Sequence, residues 1–205
     1  MTNFDIEESL GKKVVGIDEV GRGTLAGPVL AAAVFIDRSQ WKNFLKKYPN
    51  IIKIDDSKKI SKKNRLKIYN ALTKIISFGI GAASVKEIEK NNILQASLKA
   101  MERAYRALSI DAEFVLVDGI NAPKINSKVK TIKNGDNIST SIASASIIAK
   151  VIRDKLMAKL SNKYPKFLWD KNSGYGTKKH IENIKIFGVT PHHRKTFKPI
   201  LKMVE

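Results

Sequence analysis

The sequence has no cysteine, which excludes disulfides, thiolate zinc sites and cysteine nucleophiles and fits a reducing compartment. No apolar run approaches the ~20 residues that span a bilayer, and acids stand near the N-terminus where a secretion signal carries cations. A cytoplasmic protein without membrane contact is expected. Histidine is scarce: His180, His192 and His193 form no metal-ligand spacing with the acids, so a helix-surface or loop role is expected for them. Repeats and low-complexity tracts are absent. Acids are outnumbered, 19 Asp and Glu against 38 Lys and Arg, for a formal charge of +19. That excess favours a polyanionic partner, nucleic acid or an anionic membrane surface. The signal is diluted because lysine supplies 31 of the 38 cations in a chain also rich in Ile and Asn, a bias that composition alone can impose.

At 205 residues and 43% hydrophobic, the chain suits one well-buried core. We read a single domain over 1–205, with residues about 165–205 as an appendage. Residues 14–18 and 29–36 read as buried strands, and Ser61 caps a helix running to about residue 76. A third strand follows at 79–85, an amphipathic helix at 93–108 after Asn92, and a fourth strand at 113–119. Residues 129–132 suit a fifth strand. A long helix over about 138–160 carries Ala143, Ser144, Ala145, Ser146 and Ala149, small enough for close approach to a sheet, and a short helix spans about 178–187. This pattern is α/β with a mixed sheet flanked by helices and a small helical C-terminal region.

Against so few acids, their placement is informative. Val14-Val15-Gly16-Ile17-Asp18-Glu19-Val20-Gly21-Arg22-Gly23 is an apolar strand closing on two acids and a glycine-flanked arginine, and Leu116-Val117-Asp118-Gly119 repeats the strand-acid-glycine ending. If the two strands are parallel neighbours, Asp18 and Asp118 share the rim where α/β sheets hold ligands. Asp136, at the entry to the small-residue helix, joins them if that helix packs on the same rim, and Glu19 is a fourth acid. Four crowded carboxylates repel and raise one another's pKa unless cations intervene. Two divalent ions balance four charges, and all-oxygen ligands point to Mg²⁺ or Mn²⁺ over zinc. The plainer alternative is that Asp118 and Asp136, each beside a glycine, are turn formers. Asp154 lies about 25 Å along the helix from Asp136 at ~1.5 Å per residue, too far to share a cluster, and a surface pair with Lys150 is expected.

Other motifs are weaker. Gly21-Arg22-Gly23-Thr24-Leu25-Ala26-Gly27 misses the dinucleotide fingerprint by one residue and is followed by a strand where that motif needs a helix. In Asp56-Ser57-Lys58-Lys59, Lys58 and the serine suit a phosphate, although lysine-rich loops are commonly just solvated. Tyr175, between two glycines, suits stacking on a base or sugar or plugging the core edge.

Taken together, Gly16 to Gly23, Asp56-Ser57-Lys58-Lys59, Leu116 to Gly119, Ala143-Ser144-Ala145-Ser146-Ile147-Ile148-Ala149-Lys150 and Gly174-Tyr175-Gly176-Thr177 resemble ribonuclease HII, five motifs in the family's order. The resemblance implies a ribonuclease H-like fold. It also implies an endonuclease that cuts the RNA strand of RNA/DNA hybrids and nicks DNA duplexes 5′ to embedded ribonucleotides, for ribonucleotide and primer removal. It casts Asp18, Glu19, Asp118 and Asp136 as catalytic metal ligands for Mg²⁺ or Mn²⁺, two per site. Gly21, Arg22 and Gly23 become the loop that reads the ribose 2′-hydroxyl, Tyr175 the residue beside the following deoxynucleotide sugar, and Lys58 a phosphate contact. Arg22 and the short segment before Val14 favour type HII over type HIII. With the sequence ending at Glu205, soon after Pro191-His192-His193-Arg194, recruitment through the clamp-binding tail of some relatives is not expected. A monomer is expected.

The mechanism so implied is two-metal hydrolysis, one ion activating an in-line water and the other stabilising the leaving 3′ oxygen, with 3′-hydroxyl and 5′-phosphate products. Two rivals are a related nuclease cutting DNA junctions and a noncatalytic RNA- or ribosome-binding protein.

Overall fold

The computed structural model describes residues 2–49 and 60–204, so the segment holding Lys58 lies outside the described residues. The two apolar runs at the start form β1 (Val14–Val20) and β2 (Val29–Ile36), paired antiparallel. Both are covered on both faces, which is why they read as unbroken apolar stretches. β3 (Ile76–Ala83) extends the sheet antiparallel beyond β2. On the other side β4 (Phe114–Asp118) lies parallel to β1, and β5 (Lys128–Ile132) parallel to β4, giving the order β3-β2-β1-β4-β5. The mixed sheet is the one expected.

Eight helices surround it among the described residues: α1 (Asp5–Leu10), α2 (Trp41–Lys47), α3 (Lys62–Leu72), α4 (Val85–Leu108), α5 (Thr140–Lys163), α6 (Trp169–Asn172), α7 (Lys178–Phe187) and α8 (Leu201–Val204). α4 covers one face, packing Ala96, Ala100, Met101 and Ala104 into a cluster with Val15, Ile17, Val115 and Val117. α5 covers the other, its Ala143, Ile147 and Ile148 clustering with Leu30, Ala32 and Val34. The approach of α5 to β1 is so close that a Cβ on Gly16 would stand 2.3 Å from the Ser141 carbonyl carbon. Only glycine fits there, and the small residues of α5 are buried as their size suggests.

Boundaries depart from the sequence reading around the third strand. α3 ends at Leu72 and β3 occupies Ile76–Ala83, because Ser84 and Glu87 form a capping box that starts α4 at Val85. Glu87 N–H donates to Ser84 Oγ (3.3 Å) and Ser84 N–H to Glu87 Oε2 (2.9 Å). Asn92, after which a helix is expected, has non-helical backbone (φ 63°) and accepts the Gln95 N–H (3.1 Å), so it kinks α4 and caps its second segment from residue 93 as expected, the capping box adding the turns before it.

At the C-terminal end Phe167, Trp169, Ile184 and Ile200 enclose Leu25, Ala26 and Met157 in a separate apolar cluster. His180 and His193 are buried there: His193 lies in a loop as expected, whereas the burial of His180 on α7 corrects its expected helix-surface role. The Trp169 indole N–H donates to His180 Nε2 (3.0 Å), His180 Nδ1 bonds the Tyr175 carbonyl (2.8 Å), and Thr190 N–H donates to His193 Nδ1 (2.9 Å). Among the described residues no helix is long and apolar enough to cross a membrane.

Candidate active site

The parallel register of β1 and β4 sets Val14 beside Phe114 and runs to Ile17 beside Val117, so its next step brings Asp18 beside Asp118 where both strands end. Gly16 and Leu116, two residues earlier, both meet α5, and the pleat puts the two acids on that same face. Glu19 steps to the opposite face. Asp118 Oδ1 accepts the Gly135 N–H (2.7 Å), tying the tip of β4 to the short 3-10 turn Gly135–Asn137 that carries the buried Asp136. The four acids named from sequence thus lie on three adjoining pieces of one rim. Among the described residues no three acids or histidines form a ready cation cluster.

Burial is the leading reason that Asp18, 4% exposed, has its pKa pushed up to about 7. The Glu19 and Asp118 charges add to the rise, while Lys150 and the Ser146 hydroxyl on α5 oppose it. Lys150 Nζ donates to Ser146 Oγ, and the Glu19 N–H donates to Asp18 Oδ1 (2.7 Å). The Glu19 carboxyl is raised too, by burial and by Asp118, against the pull of Arg22, whose Nη1 donates to Glu19 Oε1 (3.2 Å). The second oxygen, Glu19 Oε2, is buried with no hydrogen-bond partner. An unpartnered buried carboxylate oxygen beside mutually repelling acids is costly by itself and is what a hard cation satisfies. An all-oxygen donor set of this kind fits Mg²⁺ or Mn²⁺.

After β1 the chain turns at Gly21, whose φ of +90° is a left-handed conformation and whose hydrogen faces the Arg153 guanidinium, 2.3 Å from where a Cβ would sit. Arg194, fully buried, donates from Nη2 to Gly21 O (2.7 Å), from Nη1 to Arg22 O (2.9 Å) and from Nε to Gly27 O (3.0 Å). With both carbonyls drawn inward, trans-peptide geometry turns the N–H groups of Arg22 and Gly23 away from Arg194. Gly23 has nothing within 4 Å of a Cβ position, and the Arg22 side chain is half-exposed. The loop therefore has a tethered inner side and an open outer side with two donors.

Arg153, on α5 and 1% exposed, reaches the same loop through Thr24 Oγ1 (2.9 Å), Ala26 O (3.0 Å) and Pro28 O (3.1 Å). Burial lowers the pKa of Arg153 to about 10 and of Arg194 to about 9. Tyr175 is 48% exposed on the adjoining loop, which joins the first through Leu25 N–H to Gly174 O (2.8 Å). Asp154, expected to pair with Lys150, pairs with Arg65. It lies on the side of α5 that faces α3, where Arg65 Nη1 (3.2 Å) and Ser173 Oγ (2.7 Å) reach it, while Lys150 is drawn toward Ser146 and Asp18.

Sequence reasoning missed Arg153, Arg194 and the proximity of Lys150 to Asp18. In a chain with 38 cations an arginine reads as surface; the one available signal was Arg194 within Pro191-His192-His193-Arg194.

A five-stranded mixed sheet with acids on the rim of its central parallel pair defines a nuclease of the ribonuclease H-like fold, and solved structures agree. Ribonuclease H2 from Pyrococcus horikoshii OT3 has a TM-score of 0.75 and 26% identity, covering 93% of this chain and 96% of that one. Bst-RNase HIII, solved in complex with Mn²⁺, has a TM-score of 0.78 at 18% identity, covering 96% of this chain and 71% of that one. Residues 15–200 match the family Ribonuclease HII, to which the chain belongs. A Ribonuclease HII of Wolbachia pipientis wMel is 50% identical over 199 residues, covering 97% of this chain and 96% of its own. The chain is accordingly an endoribonuclease of the ribonuclease H type.

Proposed function

We propose that the chain hydrolyses the RNA strand of RNA/DNA hybrids and nicks DNA duplexes 5′ to embedded ribonucleotides, leaving 3′-hydroxyl and 5′-phosphate ends. It does so as a cytoplasmic monomer, in ribonucleotide and primer removal. The observation that carries the reading is the β1–β4 register, which sets Asp18 and Asp118 side by side at adjacent parallel strand ends. With Glu19 and Asp136 they form the donor set for two divalent cations, Mg²⁺ or Mn²⁺. Bound there, these cations supply a water of lowered pKa and positive charge for the leaving 3′ oxygen.

The protein's own groups select the substrate. The N–H groups of Arg22 and Gly23 donate to the ribose 2′-hydroxyl, and Gly23 leaves the space for the sugar to approach. Tyr175 packs its exposed ring against the sugar of the next deoxynucleotide, so that the RNA-to-DNA junction is the preferred site. Residues about 165–205 are the substrate-contacting part of a single catalytic domain. Lys58 contributes a phosphate contact, a role that rests on the sequence resemblance alone.

The test uses a duplex with one ribonucleotide, a long hybrid and an all-DNA control, each with Mg²⁺ and with chelator. Wild type cuts the first two only in Mg²⁺ and leaves the control intact. Asp118→Asn lowers cleavage by about 10²-fold or more while still binding duplex. Wild-type turnover by that variant, or cleavage in chelator, overturns the assignment.

A further inference from the structure

The two loops given substrate-reading roles above meet at one buried side chain. Arg153 holds Thr24, Ala26 and Pro28 on the first loop, and its Nη1 donates to Ser173 O (2.8 Å), two residues before Tyr175 on the second. Its neighbour Asp154 accepts from Ser173 Oγ, so Ser173 is gripped by backbone and side chain from consecutive positions of α5. A guanidinium with five donors in a planar fork meets this many acceptors; an ammonium with three cannot keep the same directions. The fit is tight, since a Cβ on Gly174 would stand 2.5 Å from Ala26 O and one on Gly27 would stand 2.5 Å from Met157 Sδ. The Arg153 guanidinium lies just past the ends of β1 and β2, against Gly21 and Pro28, in the seam between the two loops. Burying it is unfavourable, which its lowered pKa reflects, and a buried cation with no carboxylate bonded to it among the described residues calls for a role that repays it.

We propose that Arg153 is the positioning residue that sets the separation between the ribose-reading loop and Tyr175, and thereby the preference for an RNA-to-DNA junction over continuous hybrid. The inference rests on the roles assigned to these loops under the proposed function. A sugar 2′-hydroxyl at one loop and a deoxyribose at the other are engaged together only at a fixed spacing, so a small slackening penalises the junction substrate, whereas a long hybrid offers many registers.

The experiment measures kcat and KM for a single-ribonucleotide duplex and for a long hybrid, with wild type, Arg153→Lys, Tyr175→Ala and the double variant. Arg153→Lys is expected to lower the junction-to-hybrid ratio of kcat/KM about tenfold, with hybrid cleavage changed less than about threefold. In the Tyr175→Ala background the same substitution changes the ratio little, because the spacing then has no tyrosine to deliver. If Arg153→Lys does not fold, Ser173→Ala removes the Oγ–Asp154 hydrogen bond while keeping Arg153 on the Ser173 carbonyl, and a selective loss of about threefold at the junction supports the coupling of the Tyr175 loop to α5 on which the proposal depends. Equal losses on both substrates, or an unchanged ratio, make Arg153 a structural residue and overturn the proposal while leaving the nuclease reading intact. Failure of wild type to cut either ribonucleotide substrate overturns both.

Discussion

Asp18 is the residue whose charge opposes folding most directly. Its pKa rises from the ordinary 3.8 to about 7, so the folded state holds the proton more tightly than the unfolded chain and stability falls as pH climbs through that window. At 1.36 kcal/mol per unit the ceiling is about 4 kcal/mol, and because Glu19 and Asp118 share the repulsion we expect about 2–4 kcal/mol. Asp18→Asn should therefore melt roughly 5–10 °C above wild type at pH 8 in chelator, with the gap closing toward pH 4. Thermal melts across pH check it; a variant no more stable than wild type at pH 8 contradicts the electrostatic account. Adding Mg²⁺ should raise only the wild type, by linkage. Asp18 and Asp118 were legible as candidates because an acid ending an apolar strand is conspicuous in a chain with 19 acids. Arg153 and Arg194 were not, since burial of a cation is decided by which loops fold over it and leaves no local pattern.

At the scale of elements, legibility follows the range of the interactions that make each one. β1, β2 and β4 are buried on both faces and announce themselves by composition, whereas the limits of β3 and α4 turn on the Ser84–Glu87 capping box, a signal of only four residues. At the C-terminal end α7 was legible over its whole length, whereas the burial of His180 was not, because it depends on Trp169 and His193 folding over it. Trp169 and His193 both address His180 Nε2, which must be the unprotonated nitrogen if the indole N–H is to donate to it, and His180 Nδ1–H then donates to the Tyr175 carbonyl. Burial, then the neighbouring histidines, lowers the His193 pKa to about 3, and burial lowers that of His180. A base with a depressed folded pKa stabilises the protein fully above the ordinary 6.5 and progressively less as pH falls toward the folded value. Between pH 6.5 and pH 5 His193 alone forfeits about 2 kcal/mol. Asp18 gains stability over the same interval, so the wild-type melting curve partly cancels and variants are needed. His193→Gln should lose stability at pH 7, with its gap to wild type narrowing by roughly 4–8 °C at pH 5. A gap independent of pH contradicts the buried neutral pair.

Over the whole molecule, the charge of +19 is unevenly useful. The acids that repel one another are concentrated at the rim of β1 and β4, whereas the stretch 165–205 holds eight lysines against three acids. Lys171, Lys178 and Lys179 stand exposed around the Tyr175 loop, as does Arg22 on the facing loop. An extended polyanion laid across these two adjoining loops therefore meets cations beside the negative rim, an arrangement that favours a bound strand over bulk anions and leaves the rim's own repulsion to be relieved by cations. If about six phosphates are neutralised, log K against log salt should fall with a slope of about −5 for duplex binding. Measured as fluorescence anisotropy on an RNA/DNA hybrid in chelator, where cleavage is suppressed, affinity should drop by about 10³-fold from 50 to 200 mM salt. Replacing Lys178 and Lys179 together with Gln should flatten the slope by about 2 and weaken all duplexes alike, because contacts to phosphate carry no sequence or sugar information. A slope near zero would mean that the lysine excess is compositional. A selective loss at the ribonucleotide would move these lysines from the electrostatic footprint into the sugar-reading part of the site.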